Sequence, residues 1–317
     1  LSSSANRPVS MTIKGRSICP QFLRDHVTVL LRIKESYKSY FSCWKFAFTE
    51  NYSQLCIMIT KRMPAIFIGH GSPMLALENN AQTQRLHTLG QQILHEHGKP
   101  KAILMISAHW YKNRTLVQKT EHPKQVFDMY GFPQALYQVK YTPNGCAELS
   151  DAVLGIKELG SHVDNTWGID HGAWTVLVHV FPAADVPVVE LSVNGVIGPE
   201  QCYEIGRLLA PLRQEGYLVI GSGNIVHNLR MVNWESDQGS MEAEAFNAFI
   251  CKAVEARDDL RVINYSSNEY ADYAAPTSDH FLPLLYILGA SEGEKPLVFN
   301  NKCTLDSLAM TGFAFGL

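Results

Sequence analysis

The 317-residue chain lacks most of the patterns that assign a protein at a glance. Its seven cysteines, at positions 19, 43, 56, 146, 202, 251 and 303, contain no CxxC pair. An odd, unpatterned set argues against a disulfide framework and fits reduced thiols in a cytoplasmic protein. No apolar run approaches the ~18 residues that a membrane span needs. A formal net charge of −3 gives no electrostatic reason to expect nucleic acid as a partner. Gly221-Ser222-Gly223 lacks the full dinucleotide fingerprint and the lysine of a phosphate loop, which discounts nucleotide binding. Gly71-Ser72-Pro73 is not a nucleophile elbow, and Pro73 would disrupt the helix that follows a serine nucleophile. No internal repeat is visible, and nothing indicates an oligomeric state.

What is present begins with composition. At 46% hydrophobic and 18% charged, the chain has room for one large domain or two small ones. Charge is uneven. Residues 1–62 hold ten Lys/Arg against three Asp/Glu, a net of +7, leaving 17 against 27, a net of −10, for residues 63–317. The leading segment shows no clear helical or strand period. A basic transit peptide and upstream sequence ahead of a start at Met63 both fit it, and the abrupt onset of pattern at Met63 favours the second. Residues 1–62 are thus expected to be a basic extension outside the fold, and 63–317 the functional domain.

The stretch Met63 to Met74, MPAIFIGHGSPM, organises that domain. Ala65 to Ile68 is an apolar, β-branched run of the kind that forms a buried parallel strand. It ends in an imidazole, His70, between two glycines that permit a sharp turn and close approach of a ligand. Ala102 to Ser107 repeats the arrangement and delivers His109. Tyr217 to Ile220 leads through Gly221-Ser222-Gly223-Asn224 to His227. Helices are expected over Asn79 to His97 (Leu86, Leu89, Ile93 and Leu94 inward), Ala147 to Leu159, from His171 to Val180, and over Pro199 to Glu215, Met241 to Arg257 and Phe281 to Leu288. Strands are expected at Pro187 to Val193, Leu297 to Asn300 and Leu308 to Phe315, with a loop-rich stretch from Tyr111 to Pro143. The alternation predicts an α/β fold: a single-domain sheet flanked by helices, with a metal site at the carboxyl ends of the strands.

A single strand-end histidine is as readily structural as functional. Two at equivalent strand ends, His70 and His109, point toward metal ligands. Thr277-Ser278-Asp279-His280 reads as a capped helix start, and a helix N-terminus keeps His280 neutral and able to ligate. Asp279 beside it is the alternative third ligand, since two histidines and a carboxylate are the usual non-haem iron set. Three neutral imidazoles suit Zn²⁺ or Fe²⁺. His171 and His227, each in a glycine-bounded motif with Asp170 or Asn224 close by, suit acid–base work, with packed core histidines as the plainer alternative. His87, His95 and His97 belong to a solvated helix face, His179 to the core, and His122 and His162 to polar loops.

The motifs GHGSPM (69–74), SAHW (107–110), GFPQALY (131–137), WGIDHGAW (167–174), GSGNIVHNL (221–229) and PTSDHFLPLLY (276–286), in this order, resemble the class III extradiol ring-cleavage dioxygenases, in particular their DOPA 4,5-dioxygenase branch. The resemblance spans residues 63–317. It implies that His70, His109 and His280 bind the metal, with His280 standing where the wider class has a glutamate. It implies that His227 is the catalytic base and that His171 contacts substrate or O₂ and donates a proton. Catalysis then needs Fe(II), although Zn(II) can occupy the isolated site. The expected partners are O₂ and a small catechol such as DOPA, opened beside the diol to a muconic-semialdehyde-type product. A zinc hydrolase using the same site, or a non-enzymatic metal-binding interaction protein of the same fold, are the alternatives.

Overall fold

The computed structural model describes residues 62–317 and, ahead of them, residues 12–13 and 16–17. Thr12–Ile13 and Arg16–Ser17 pair antiparallel, and the rest of the expected N-terminal extension lies outside the described residues. The unit that follows runs from Lys61 to Leu317. Arg62, ahead of the expected boundary, makes an ion pair with Glu294 at 2.6 Å.

In chain order its main elements are β1 (Ala65–Gly69), α1 (Ala81–His97), β2 (Ala102–Lys112), β3 (Leu116–Val117), α2 (Ala147–Gly155), β4 (His162–Val163), α3 (His171–Val180), β5 (Val188–Asn194), α4 (Pro199–Leu209), β6 (Tyr217–Gly223), α5 (Met241–Ala256), α6 (Asp259–Ile263), α7 (Ala271–Ala274), α8 (Leu282–Ala290), β7 (Pro296–Phe299), β8 (Cys303–Thr304), β9 (Leu308–Ala309) and β10 (Gly312–Phe315). Eight strands form one mixed sheet in the order β4-β3-β5-β2-β6-β1-β10-β7. Its centre, β5-β2-β6-β1, is parallel, and β10 and β7 extend it antiparallel.

Strand side chains alternate between faces. Ile66, Ile68, Ile103, Met105, Leu218 and Ile220 pack with α1 and α3, whereas Phe67, Leu104, Ile106 and Val219 pack with α4, α5 and α8. The central strands are buried on both faces, as a parallel sheet covered by two helical layers requires. All nine residues of α8 are buried, so this helix is apolar all round rather than amphipathic. The chain leaving β1 returns through α1 on one face, while the chain leaving β6 proceeds to α5 on the other. Divergence of that kind opens a crevice beyond the carboxyl ends of neighbouring strands.

Several sequence expectations need adjustment. Leu94, expected to face inward, is exposed. The helix expected over 147–159 breaks at Ile156 into α2 and a short 3-10 turn, Lys157–Leu159. The helix expected over 199–215 ends at Leu209, with a 3-10 turn carrying Pro211 beyond it. The strand expected over 308–315 is two strands, because Leu308–Ala309 pairs with Cys303–Thr304 before Gly312–Phe315 joins the main sheet. Ser72 is a cap whose hydroxyl accepts from the Met74 amide at 3.3 Å, ahead of the 3-10 turn Pro73–Leu77.

Candidate metal centre

β1, β2 and β6 are parallel neighbours with Gly69 opposite Gly223 and Ser107 opposite Ser222, so their carboxyl ends lie level. His70 is the first residue beyond β1, and Gly71 turns the chain with φ +60°, a conformation glycine adopts without penalty. His109 is delivered differently from expectation, since β2 does not stop at Ser107. Its pairing with β5 skips from Ser107 to Tyr111, so Ala108, His109 and Trp110 form a bulge. Ala108 and Trp110 are buried, and the bulge aims His109 the other way.

His171 is the first residue of α3, capped by Asp170 through the Ala173 amide. His227 follows β6, its amide held by the Ala274 carbonyl at 2.7 Å. His280 lies in the turn before α8 rather than in its first turn, and α8 has no side-chain cap. Its carbonyl accepts from the Asn224 amide at 2.9 Å, docking the turn on the end of β6. A Cβ on Gly223 would stand 2.2 Å from that carbonyl oxygen, so only glycine allows the approach.

Hydrogen bonds decide which ring nitrogens are free. The Ser222 hydroxyl gives its one proton to the Gly172 carbonyl at 2.5 Å. It can therefore only accept from His70 Nδ1, 2.9 Å away, which leaves the His70 Nε2 lone pair open. His109 Nδ1 lies 3.0 Å from Asp128 Oδ2, and His280 Nδ1 is paired with Asp279 Oδ2. An ionised carboxylate only accepts, so both rings donate through Nδ1 and present Nε2 as a lone pair. His70 Nε2 and His109 Nε2 stand 3.3 Å apart, and His280 Nε2 is buried without a hydrogen-bond partner. Two lone pairs so close repel unless a cation lies between them. Nitrogens at ~2.0–2.1 Å from a tetrahedral ion are about 3.3 Å from each other, so the donor set fits a metal.

The five histidines gather as the sequence suggests, but not in one unique trio. Donor atoms of His70, His109 and His171 cluster, as do those of His227, Asp279 and His280. Ring centroids of His70, His109 and His280 are separated by 5.0, 5.2 and 5.1 Å. His171 is unevenly placed, 5.9 Å from His70 and 3.8 Å from His109. The His227 ring stacks on His280 at 3.4 Å and 6°.

Charge follows the same wiring. Burial, then the neighbouring imidazoles, pushes His70 well below its ordinary value. Burial brings His280 to about 4 against the pull of Asp279, and burial with His280 brings His227 to about 2. Burial also opposes charge on His109, but Asp128 and the other carboxylates outweigh it and raise its pKa. Asp128 and Asp279 are held well below the carboxylate range by their histidines despite burial. The pocket thus combines three imidazoles that resist protonation, those of His70, His227 and His280, with two ionised carboxylates, and one cation would compensate it.

Sequence reasoning missed Asp128 and Ser222, and the two residues it noted close to His171 and His227, Asp170 and Asn224, hold other groups. Asp128, not Asp170, holds His171: its Oδ1 accepts from both the amide and Nδ1, each at 2.9 Å. Asp170 instead binds Ser107 and Trp167 and caps α3. Asn224 serves His70 rather than His227, accepting from the Gly71 amide and donating to the Ala309 carbonyl. His179, expected in the core, is half-buried and bonded to the Leu75 carbonyl. Two cavities adjoin the centre. One of about 630 Å³ is lined by His109, Tyr111 and residues 276–280, and one of about 360 Å³ by His227, residues 228–230 and His280.

Residues 64–316 match the family described as the catalytic LigB subunit of aromatic ring-opening dioxygenase. A 4,5-DOPA dioxygenase extradiol of Escherichia coli (strain K12) is 39% identical over 250 residues, covering 76% of this chain and 90% of that protein. One of Beta vulgaris is 35% identical over 243 residues, covering 74% and 90%. The crystal structure of an uncharacterized protein from E. coli K12 superposes with a TM-score of 0.69 at 34% identity, covering 80% of this chain and 99% of that one.

Proposed function

The chain belongs to this LigB family and is an extradiol ring-cleavage dioxygenase, and from that premise we propose that it opens DOPA or a closely similar catechol beside the diol. The proposed product is of the muconic-semialdehyde type. The family is metal-dependent, and we assign Fe(II) to His70, His109 and His280. The observation that carries the assignment is the near-equal spacing of those three rings, with Nε2 of His280 buried and unpaired.

Fe(II) bound there would supply a cationic centre for the catechol oxygens and a redox-active path by which electrons of the catechol reach O₂; redox-inert Zn(II) would supply only the first. Ser222, Asp128 and Asp279 fix the three ligand rings in the Nδ1–H tautomer and so keep their Nε2 atoms available. His227 is neutral, and its ring makes no hydrogen bond to any described residue, so it can accept the catechol proton. Its low basicity restricts it to a hydroxyl made acidic by a neighbouring cation. His171 shares Asp128 with His109, and with its Nδ1–H given to that carboxylate its Nε2 is free to take up a proton first and then to return it to the opening ring.

The test is O₂ uptake after anaerobic Fe(II) loading, with DOPA, catechol and protocatechuate compared. Stoichiometric uptake with a yellow ring-opened product from DOPA is expected. His227→Ala should keep its iron and lose on the order of 10²–10⁴ in kcat. No uptake from a verified iron-loaded chain with any of the three would refute the reading.

A further inference from the structure

We propose that Arg230 selects catechols whose side chain carries a carboxylate, and that the smaller cavity beside the metal centre is the subsite for that side chain; this rests on the catechol reading above. The cavity of about 360 Å³ has His227 and His280 in its lining, and Arg230 and Leu229 line it too. A catechol held beside these two stacked rings would have Arg230 on the wall of the same cavity, within the space open to a ring substituent. The volume is ample for a short side chain with its solvent, given about 30 Å³ per water molecule.

The charge at Arg230 is uncommitted. Arg62, Arg207, Arg213, Arg257 and Arg261 each have a carboxylate partner, whereas Arg85, Arg114 and Arg230 have none among the described residues, and of these three Arg230 lines the cavity shared with His227 and His280. It does not pair even with Asp279, which lines the same cavity. The surroundings would otherwise disfavour an anion, because residues 63–317 carry a net charge of −10 and Asp279 lines the same cavity. An unpaired guanidinium is the countercharge that an acidic substrate requires, and its planar fork matches a carboxylate.

The backbone bearing Arg230 is held in place. Buried Asn228 donates from Nδ2 to the Tyr273 carbonyl at 2.7 Å and accepts the Arg230 amide on Oδ1 at 3.2 Å. Ser307 donates to the Asn228 carbonyl at 2.8 Å. Arg230 therefore starts from a fixed point three residues after His227, so binding orders the side chain alone. Leu229, 64% exposed on the same wall, offers apolar contact to the carbons between ring and carboxylate.

The test compares dihydrocaffeate, which carries a carboxylate, with methylcatechol, which carries none. Both are titrated calorimetrically into the zinc-loaded chain, which binds without turnover. The wild type is expected to bind the acid about ten-fold or more tightly than methylcatechol. Arg230→Gln should reduce that ratio roughly ten-fold, and Arg230→Lys should retain part of it. Equal affinities in the wild type, or an unchanged ratio in Arg230→Gln, would overturn the assignment. O₂ uptake by the iron-loaded chain with methylcatechol runs alongside. No uptake marks failure of the catechol reading, whereas uptake without an acid preference marks failure of the Arg230 assignment alone.

Discussion

Asp128 serves two histidines with one carboxylate, Oδ2 facing His109 Nδ1 and Oδ1 facing His171 Nδ1. Replacing it by asparagine leaves the shape but removes the charge and one acceptor. Metal affinity in Asp128→Asn is expected to fall ten- to a hundred-fold, read by chelator competition, with the far-UV spectrum unchanged. Wild-type affinity would show that the bridge carries no weight. The residue escaped sequence reasoning for a physical reason: it lies in an irregular loop with no period to mark its direction, 43 positions before its partner His171. Histidines at strand ends are visible because strands fix where side chains go, whereas a loop carboxylate becomes legible only once the loop is folded. Glu190 illustrates the other case, a charged residue inside an apolar strand. Burial, then Asp170, raises its pKa well above 4.5, and its Oε1 accepts from the Asp170 amide at 3.2 Å. A raised folded-state pKa gives stability fully present below 4.5 and lost as pH rises toward the folded value. Glutamine keeps the acceptor and cannot ionise. The Tm of Glu190→Gln relative to wild type should therefore climb from acid to alkaline pH, and a flat difference would mean that Glu190 does not titrate in that window.

Elements place the proposed ligands, and a close tolerance is where the His280 turn meets β6. At Gly223 an added Cβ would overlap the His280 carbonyl, which cannot yield without moving the ligand. Gly223→Ala should cost about 1–3 kcal/mol by denaturant titration and also weaken metal binding. Gly155→Ala, at the exposed end of α2 with nothing within 4 Å of the new methyl, should do neither. Equal behaviour of the two variants would show that the turn adapts freely. The strands that deliver His70 and His109 and the helix after His280 were readable because their apolar runs are long and continuous. Local breaks were not. Nothing in LAMTGFAF announces that Met310 and Thr311 cross from one sheet to another, since both halves are apolar and both are buried. The bulge at 108–110 likewise depends on β5, a partner more than eighty residues away.

At the scale of the molecule, folding brings three imidazole lone pairs and two ionised carboxylates to one edge of the sheet, and that convergence must cost stability in the absence of a cation. Binding to the folded chain alone offsets it by mass action, about 2.7 kcal/mol at a free metal concentration a hundred times Kd. For a unit of this size about 1 kcal/mol corresponds to roughly 2–4 °C in Tm, so the loaded chain should melt about 5–10 °C above the chelator-treated one. Zn(II) and Fe(II) should both raise Tm, because both accept nitrogen ligands, while Fe(II) alone restores O₂ uptake. Protons compete for the same lone pairs. His280, with a pKa of about 4, resists protonation until the medium is strongly acidic, whereas His109 is raised above the ordinary 6.5. The metal-dependent increment in Tm should therefore shrink on acidification through protonation of His109 first. An increment indifferent to pH between 5 and 8 would place the ion on donors other than these histidines, and identical melting with and without chelator would remove the metal centre itself.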